Sequence, residues 1–292
     1  MQLPQQLFKR KKDSHKGDFG HIFILAGSVG MSGAALLAAK AALRSGAGLV
    51  TLGLPESVAF ALTGRVLEEM ILPLPQTTEG SIAPAALNTI NGALQRADVL
   101  LVGPGLSRNV QTQDLIRKVI LAARVKTLID ADGLNAWAGR MNEFKVGVSC
   151  LPVDKNTMRI ITPHPGELAG LLEVSAADIQ QKRSEAAKDF SKEYNVVVVL
   201  KGHNTVIADP SGEAALNPTG NSGMSTAGAG DVLSGIICAL WAQGLSSFEA
   251  ACCGAYLHGA AGDLAAEKLT EIGMIASDII SFLPEAIRKS QK

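Results

Sequence analysis

Asn217-Pro-Thr-Gly-Asn-Ser-Gly-Met-Ser-Thr-Ala-Gly-Ala-Gly-Asp231 is a glycine-rich run that ends on a single carboxylate, and Val232-Leu-Ser-Gly-Ile-Ile-Cys-Ala-Leu-Trp241 follows it as an apolar helical pattern. The junction predicts a helix whose first turn is almost bare of side chains. The N–H groups at Ala229, Gly230 and Asp231 lack intrahelical partners there, and the helix dipole adds positive potential. Such an end binds anions, so Gly228, Ala229 and Gly230 form a candidate anion hole. Asp231 beside it has two readings: a side chain that caps its own helix, or a base that takes a proton near a bound phosphate.

Short β-rich runs alternate with helical patterns on either side of this junction. Strands are expected at His21–Leu25, Leu49–Leu52, Asp98–Val102, Thr127–Asp130, Arg159–Thr162, Val196–Leu200 and Thr205–Ala208. Helices are expected at about 32–46, 84–95, 110–123, 175–192, 230–243, 246–266 and 275–289. Several strands are continuously apolar, as parallel strands covered on both faces must be. The alternation predicts an α/β fold, a doubly wound and mainly parallel sheet flanked by helices. Pro73 to Pro84 reads as a loop too short to divide the chain, so residues 1–292 are expected to form one domain with a lead segment at 1–18.

In such sheets ligands lie outside the carboxyl ends of the strands, and five chemically suggestive loops fall there. Gly27–Gly33 follows the first strand and leads to a small-residue surface at Gly33 and Ala34; an ordinary tight turn is the competing reading. Gly103-Pro-Gly105 offers backbone contact. Asp130-Ala-Asp-Gly-Leu-Asn135 holds two carboxylates, either of which suits a cap, a metal water or a substrate hydroxyl. His164 stands between prolines that keep the backbone extended. Glu167 opens the next helix, as a dipole-favoured acid or as an indirect ligand that orders Mg²⁺ through water. Lys201, at a strand end before Gly202, can reach a phosphate; a plain exposed strand-end lysine is the competing reading. His258 reads as a packed or capping histidine.

Composition narrows the partners. Lys plus Arg and Asp plus Glu both total 27 and aromatics are 4%, which leaves no broad surface for nucleic acid. With 47% hydrophobic and 18% charged residues the chain can build a large core. Cys150, Cys238, Cys252 and Cys253 form no metal or disulfide pattern, and the basic Lys9-Arg-Lys-Lys12 leads into polar sequence. We therefore expect a reduced, cytoplasmic protein with no signal peptide and no membrane partner.

The ordered set of motifs is more specific than any one of them. Gly-Ala-Gly-Asp231 before a helix resembles the anion hole and catalytic aspartate of the ribokinase-like superfamily. Ser14-His-Lys-Gly17, Gly27-Ser-Val-Gly-Met-Ser-Gly-Ala-Ala35, Arg44-Ser-Gly-Ala-Gly48, Gly103-Pro-Gly-Leu106, the Asp130–Asn135 loop, Thr162-Pro-His-Pro-Gly-Glu167, Lys201-Gly-His-Asn-Thr205 and Asn217-Pro-Thr-Gly-Asn221 together resemble the ADP- or ATP-dependent NAD(P)H-hydrate dehydratases. That resemblance implies repair of NADH or NADPH hydrated at C6 of the nicotinamide ring. Asp231 would be the catalytic base, and Gly33, Ala34, Gly105, His164 and Asp231 would hold the hydrate. Lys201, Gly202, His203, Asn204, Thr205 and Gly230 would hold ADP and its product AMP, with Mg²⁺ as cofactor and ATP as the alternative donor. The family also implies a homotetramer and an NAD(P)H-hydrate epimerase as functional partner; many bacterial members carry it fused ahead of the dehydratase, and with no room for it in these 292 residues it is expected as a separate protein. His164 stands where sugar kinases of this superfamily usually carry Asn. The competing expectations are an ATP-dependent small-molecule kinase of the same fold and a nucleotide-binding sensor without turnover.

Overall fold

The apolar runs become strands buried on both faces, and the glycine-rich stretches become the turns that follow them. The computed structural model describes residues 1–150 and 158–291. In chain order the elements are β1 (His21–Leu25), α1 (Ser32–Arg44), β2 (Leu49–Pro55), α2 (Glu56–Leu62), β3 (Met70–Leu74), α3 (Leu87–Leu94), β4 (Val99–Val102), α4 (Val110–Ala122), β5 (Lys126–Ile129), α5 (Asp132–Asn135), α6 (Met141–Ser149) and β6 (Arg159–Ile161). Then come α7 (Pro165–Leu172), α8 (Ala176–Gln181), α9 (Arg183–Tyr194), β7 (Val197–Leu200), β8 (Thr205–Ala208), β9 (Ala214–Asn217), α10 (Ala229–Ala242), α11 (Ser247–Leu269) and α12 (Ala276–Lys289).

One nine-stranded sheet runs in the order β3-β2-β1-β4-β5-β6-β7-β8-β9. Pairing is parallel from β3 to β7 and antiparallel at β8 and β9. Alternate residues feed two cores. Ile22 and Ile24 of β1 pack with α1, α10, α11 and α12, whereas Phe23 and Leu25 face the layer of α3, α4, α6, α7 and α9. The lead segment is tied down, since Leu3 is buried and its N–H donates to the Ser290 carbonyl.

Four differences from the sequence reading have local causes. Met70–Leu74 is a strand although it contains Pro73, because the sheet edge needs no N–H from it. Ala214–Asn217 is the opposite edge, with too weak a β pattern to stand out. The helix expected over 175–192 breaks at Lys182 into α8 and α9. The helices α2, α5, α6 and α7 are too short for periodicity to mark them.

Strand order reverses between β1, whose chain continues to β2, and β4 on its other side. This is a topological switch point, where such sheets open a crevice. The crevice is closed at its base by Gly27 N–H donating to the Pro104 carbonyl at 2.8 Å and by Ser28 Oγ donating to the Gly105 carbonyl at 2.8 Å.

Candidate active site

The α10 N-terminus forms as the glycine run predicts. Its cap, Gly228, has φ 91°, and a Cβ there would strike Leu37, so the position accepts no other residue without strain. The Ala229 N–H is directed to the Thr226 carbonyl at 3.3 Å. Among the described residues, no backbone partner is found for the N–H groups of Gly228, Gly230 and Asp231. The candidate anion site would therefore rest on those groups more than on Ala229.

Asp231 is the third residue of α10, and its side chain does not cap the helix. Burial and the nearby Asp130 carboxylate push it up to about 7, with Asp132 and Glu167 adding to the effect and Lys201 opposing it. A carboxylate tuned to neutrality beside unpaired N–H groups is suited to accept a proton during phosphoryl transfer.

Lys201 leaves the end of β7 and turns inward. Its Nζ lies 2.8 Å from Asp130 Oδ1 and 3.6 Å from Glu167 Oε2, and 3.4 Å from where a Cβ on Gly230 would be. Burial works against its charge, but Asp130, Glu167 and Asp231 outweigh that and hold the ammonium above its ordinary value. The reading of Lys201 as a plain exposed strand-end residue is therefore excluded; the side chain is 19% exposed.

The two aspartates of the β5 loop divide the work that the sequence left open. Asp130 is 1% exposed and accepts from Lys201 and, at Oδ2, from Ser234 Oγ at 2.8 Å. Asp132 accepts from the Ser107 N–H at 2.9 Å and from Asn135 Nδ2 at 3.1 Å. It thereby holds the left-handed Ser107 that shapes the end of the Gly105 loop.

His164 caps α7. Its Nδ1 accepts from the N–H groups of Gly166 and Glu167 at 3.0 and 3.2 Å, and Glu167 Oε2 accepts from the His164 N–H at 2.7 Å. Reciprocal capping fixes the tautomer, leaving Nε2–H as the donor, 3.6 Å from Glu167 Oε1. The ring is half exposed and open to a ligand on that side. Gly33 faces open space, while Gly105 packs against Met31 and Ala34, so the small-residue surface is continuous across the switch point.

Lys201, Gly202, His203, Asn204, Thr205 and Gly230 line one cavity of about 660 Å³, together with Asn217, Thr219, Leu233 and His258. Two of these features were not anticipated as parts of a site. His258, on the otherwise small and apolar face of α11, is packed as expected and hydrogen-bonds the backbone of Ala229, but it also lines this cavity, with Nε2 buried and unpartnered. Burial pulls it down to about 4, so it is neutral. Arg183, the first residue of α9, donates to the carbonyls of Leu200, Lys201 and His203 and so fixes the strained loop with Gly202 at φ 137° and Asn204 at φ 51°. Inside the single helix expected over 175–192, it carried no sequence signal of that role.

A doubly wound sheet with a bare helix N-terminus, a neutral-range carboxylate and a buried lysine at its rim defines a ribokinase-like α/β protein. Residues 22–285 match the NAD(P)H-hydrate dehydratase family model, and the chain belongs to that family. It is 44% identical over 98% of its length to the bifunctional NAD(P)H-hydrate repair enzyme Nnr of Moorella thermoacetica, of which it spans 53%. It is 37% identical over 96% of its length to the ADP-dependent (S)-NAD(P)H-hydrate dehydratase of Neisseria meningitidis, covering 88% of that protein. A solved structure of the ADP/ATP-dependent NAD(P)H-hydrate dehydratase of Bacillus subtilis, co-crystallised with ATP/Mg²⁺, superposes with TM-score 0.81 at 31% identity, covering 99% of this chain and 95% of that one.

Proposed function

We propose that this chain is an ADP-dependent (S)-NAD(P)H-hydrate dehydratase, a hydro-lyase that restores NADH or NADPH from its 6-hydrate. The observation that carries the reading is Asp231 at about 7, in the first turn of α10 beside Gly230 and the Lys201 ammonium. The nucleotide donor would occupy the 201–205 cavity with its terminal phosphate at Gly228, Gly230 and Lys201. The hydrate would lie over Gly33, Ala34 and Gly105 with His164 at its edge. Asp231 takes the hydroxyl proton as the hydroxyl oxygen bonds to the terminal phosphorus and the bond to AMP breaks. The ring nitrogen lone pair then expels phosphate from C6, and loss of the C5 proton completes the reduced cofactor. Positioning and charge stabilisation are all that the phosphoryl step asks of the protein.

Among the described residues, no three His, Cys, Asp or Glu side chains gather as a metal cage. Mg²⁺ needs none, because it keeps several waters and is bound largely by nucleotide phosphates. Glu167 fits as a partner to one of those waters, and the ion would supply charge neutralisation on the phosphates. With this reading go a homotetramer, a cytoplasmic location and an NAD(P)H-hydrate epimerase as functional partner. The four unpaired cysteines accord with a reducing compartment, and among the described residues no helix is long and apolar enough to cross a membrane.

The test is to incubate the protein with hydrated NADH and either ADP or ATP. Return of reduced-nicotinamide absorbance with release of inorganic phosphate is the expected result. No recovery with either nucleotide would sink the reading, and a stable phosphorylated product would identify a kinase instead.

A further inference from the structure

We propose that Asp130 is a positioning residue for the reaction: its buried carboxylate holds the Lys201 ammonium against the N-terminus of α10, where the transferred phosphoryl group must sit. The inference rests on the phosphoryl-transfer reading above and concerns a residue that contacts neither substrate.

A free lysine at the end of β7 has no reason to lie beside Gly230. Four rotatable bonds give its side chain many conformers, and burial disfavours its charge. Asp130 supplies what selects one of them. Its Oδ1 is 2.8 Å from Nζ, and its Oδ2 is held by Ser234 Oγ at 2.8 Å, with Thr162 Oγ1 3.4 Å from that hydroxyl. Ser234 is one turn into α10, so the carboxylate is anchored to the same helix whose N–H groups form the anion site. Glu167 Oε2, at 3.6 Å, stabilises the ammonium from the other side and is itself fixed by its bond from the His164 N–H. The clamp thus joins the ends of β5, β7 and α7 to α10. A nucleotide phosphate approaching Gly230 meets a cation already in place, which removes reorganisation from the phosphoryl step.

The groups facing Asp231 are the Asp130, Asp132 and Glu167 carboxylates and the Lys201 ammonium. Removing either member of the Asp130–Lys201 pair should therefore move the titration of Asp231 in opposite directions. In Asp130→Asn, with a negative neighbour gone, the acidic limb of the kcat/KM–pH profile is expected to move down by about one pH unit, and the maximum to fall by about thirtyfold. In Lys201→Met, with the opposing cation gone, the limb should move up. Asp130→Asn added to Lys201→Met should cost less than about threefold further, because the carboxylate then has nothing to position.

A purely structural Asp130 would lower thermal stability, and its loss would multiply with that of Lys201→Met; unmoved limbs in the single variants, or losses that multiply in the double variant, overturn the proposal. Carboxylate ¹³C NMR of aspartate-labelled protein reads the same two shifts without turnover. A wild-type protein inactive on hydrated NADH would end the hydrate reading, while the NMR shifts would still decide the role of Asp130. If Asp130→Asn does not fold, Ser234→Ala, which frees Oδ2 of the carboxylate, takes its place: a loss that multiplies with that of Lys201→Met overturns the proposal.

Discussion

Asp231 shows how burial and charge bring an ordinary carboxylate into the range a base needs. Its raised value means that kcat/KM for the hydrate should fall about tenfold per unit below pH about 7, measured as an initial-rate profile. Asp231→Asn should lower kcat by about a thousandfold while leaving ADP affinity within about threefold, checked by calorimetry alongside turnover. Retained turnover would remove Asp231 from the role of base. The same shift has a cost in stability. A carboxyl held above its unfolded value of 3.8 stabilises the fold below that value and loses this contribution as pH rises through about 7. Asp231→Asn should therefore melt higher than the wild type at pH 8, by roughly 2 kcal/mol after allowance for solvent screening, and about equally at pH 4. A variant less stable at pH 8 would contradict the assigned environment.

Elements decide which of these residues could be foreseen. The bare first turn of α10 was legible because glycines, a lone carboxylate and an apolar helix follow one another directly in sequence. Lys201 was legible as a strand-end cation. The clamp was not, since Asp130 meets partners 71 and 104 residues away. Nor was the service of Arg183 to the 201–205 loop, which depends on where α9 starts in space. Arg183→Ala should let that loop relax, raising the KM for ADP by about tenfold with little change in kcat, as steady-state kinetics would show. An unchanged KM would mean that the loop holds its shape without the guanidinium. Gly228→Ala tests the neighbouring element. Positive φ and the collision with Leu37 should together cost about 2 kcal/mol in urea unfolding and distort the anion site.

For the molecule as a whole, the sheet centre was readable and its edges were not. Central strands must be apolar on both faces, which writes itself into sequence as Val, Ile and Leu runs. Edge strands β3 and β9 escape that demand and carry Pro73, or a short Ala-Ala-Leu-Asn, instead. This asymmetry matters for ligand binding. The cavity proposed for the nucleotide lies between the β7–β8 turn, the β9 exit and the helices α10 and α11, so its walls all come from residues 201–271. The bonds on its far side run from the β9 exit to α11 and beyond: Asn217 and Thr219 donate to the carbonyls of Ala255 and Tyr256, Gly220 and Asn221 to Asp263, and Ser222 to Glu271. A nucleotide that bridges Lys201–Thr205 to α10 and α11 would tie the antiparallel edge of the sheet to its helical cover, and it would bind the folded chain alone. At a hundredfold excess over Kd, ADP should then add about 2.7 kcal/mol and raise the Tm by about 5 °C. Lys201→Met should reduce that rise at the same ADP concentration, because the terminal phosphate loses its cation. Differential scanning calorimetry with and without ADP measures both. A Tm that does not respond to saturating ADP would show that the nucleotide does not occupy this cavity.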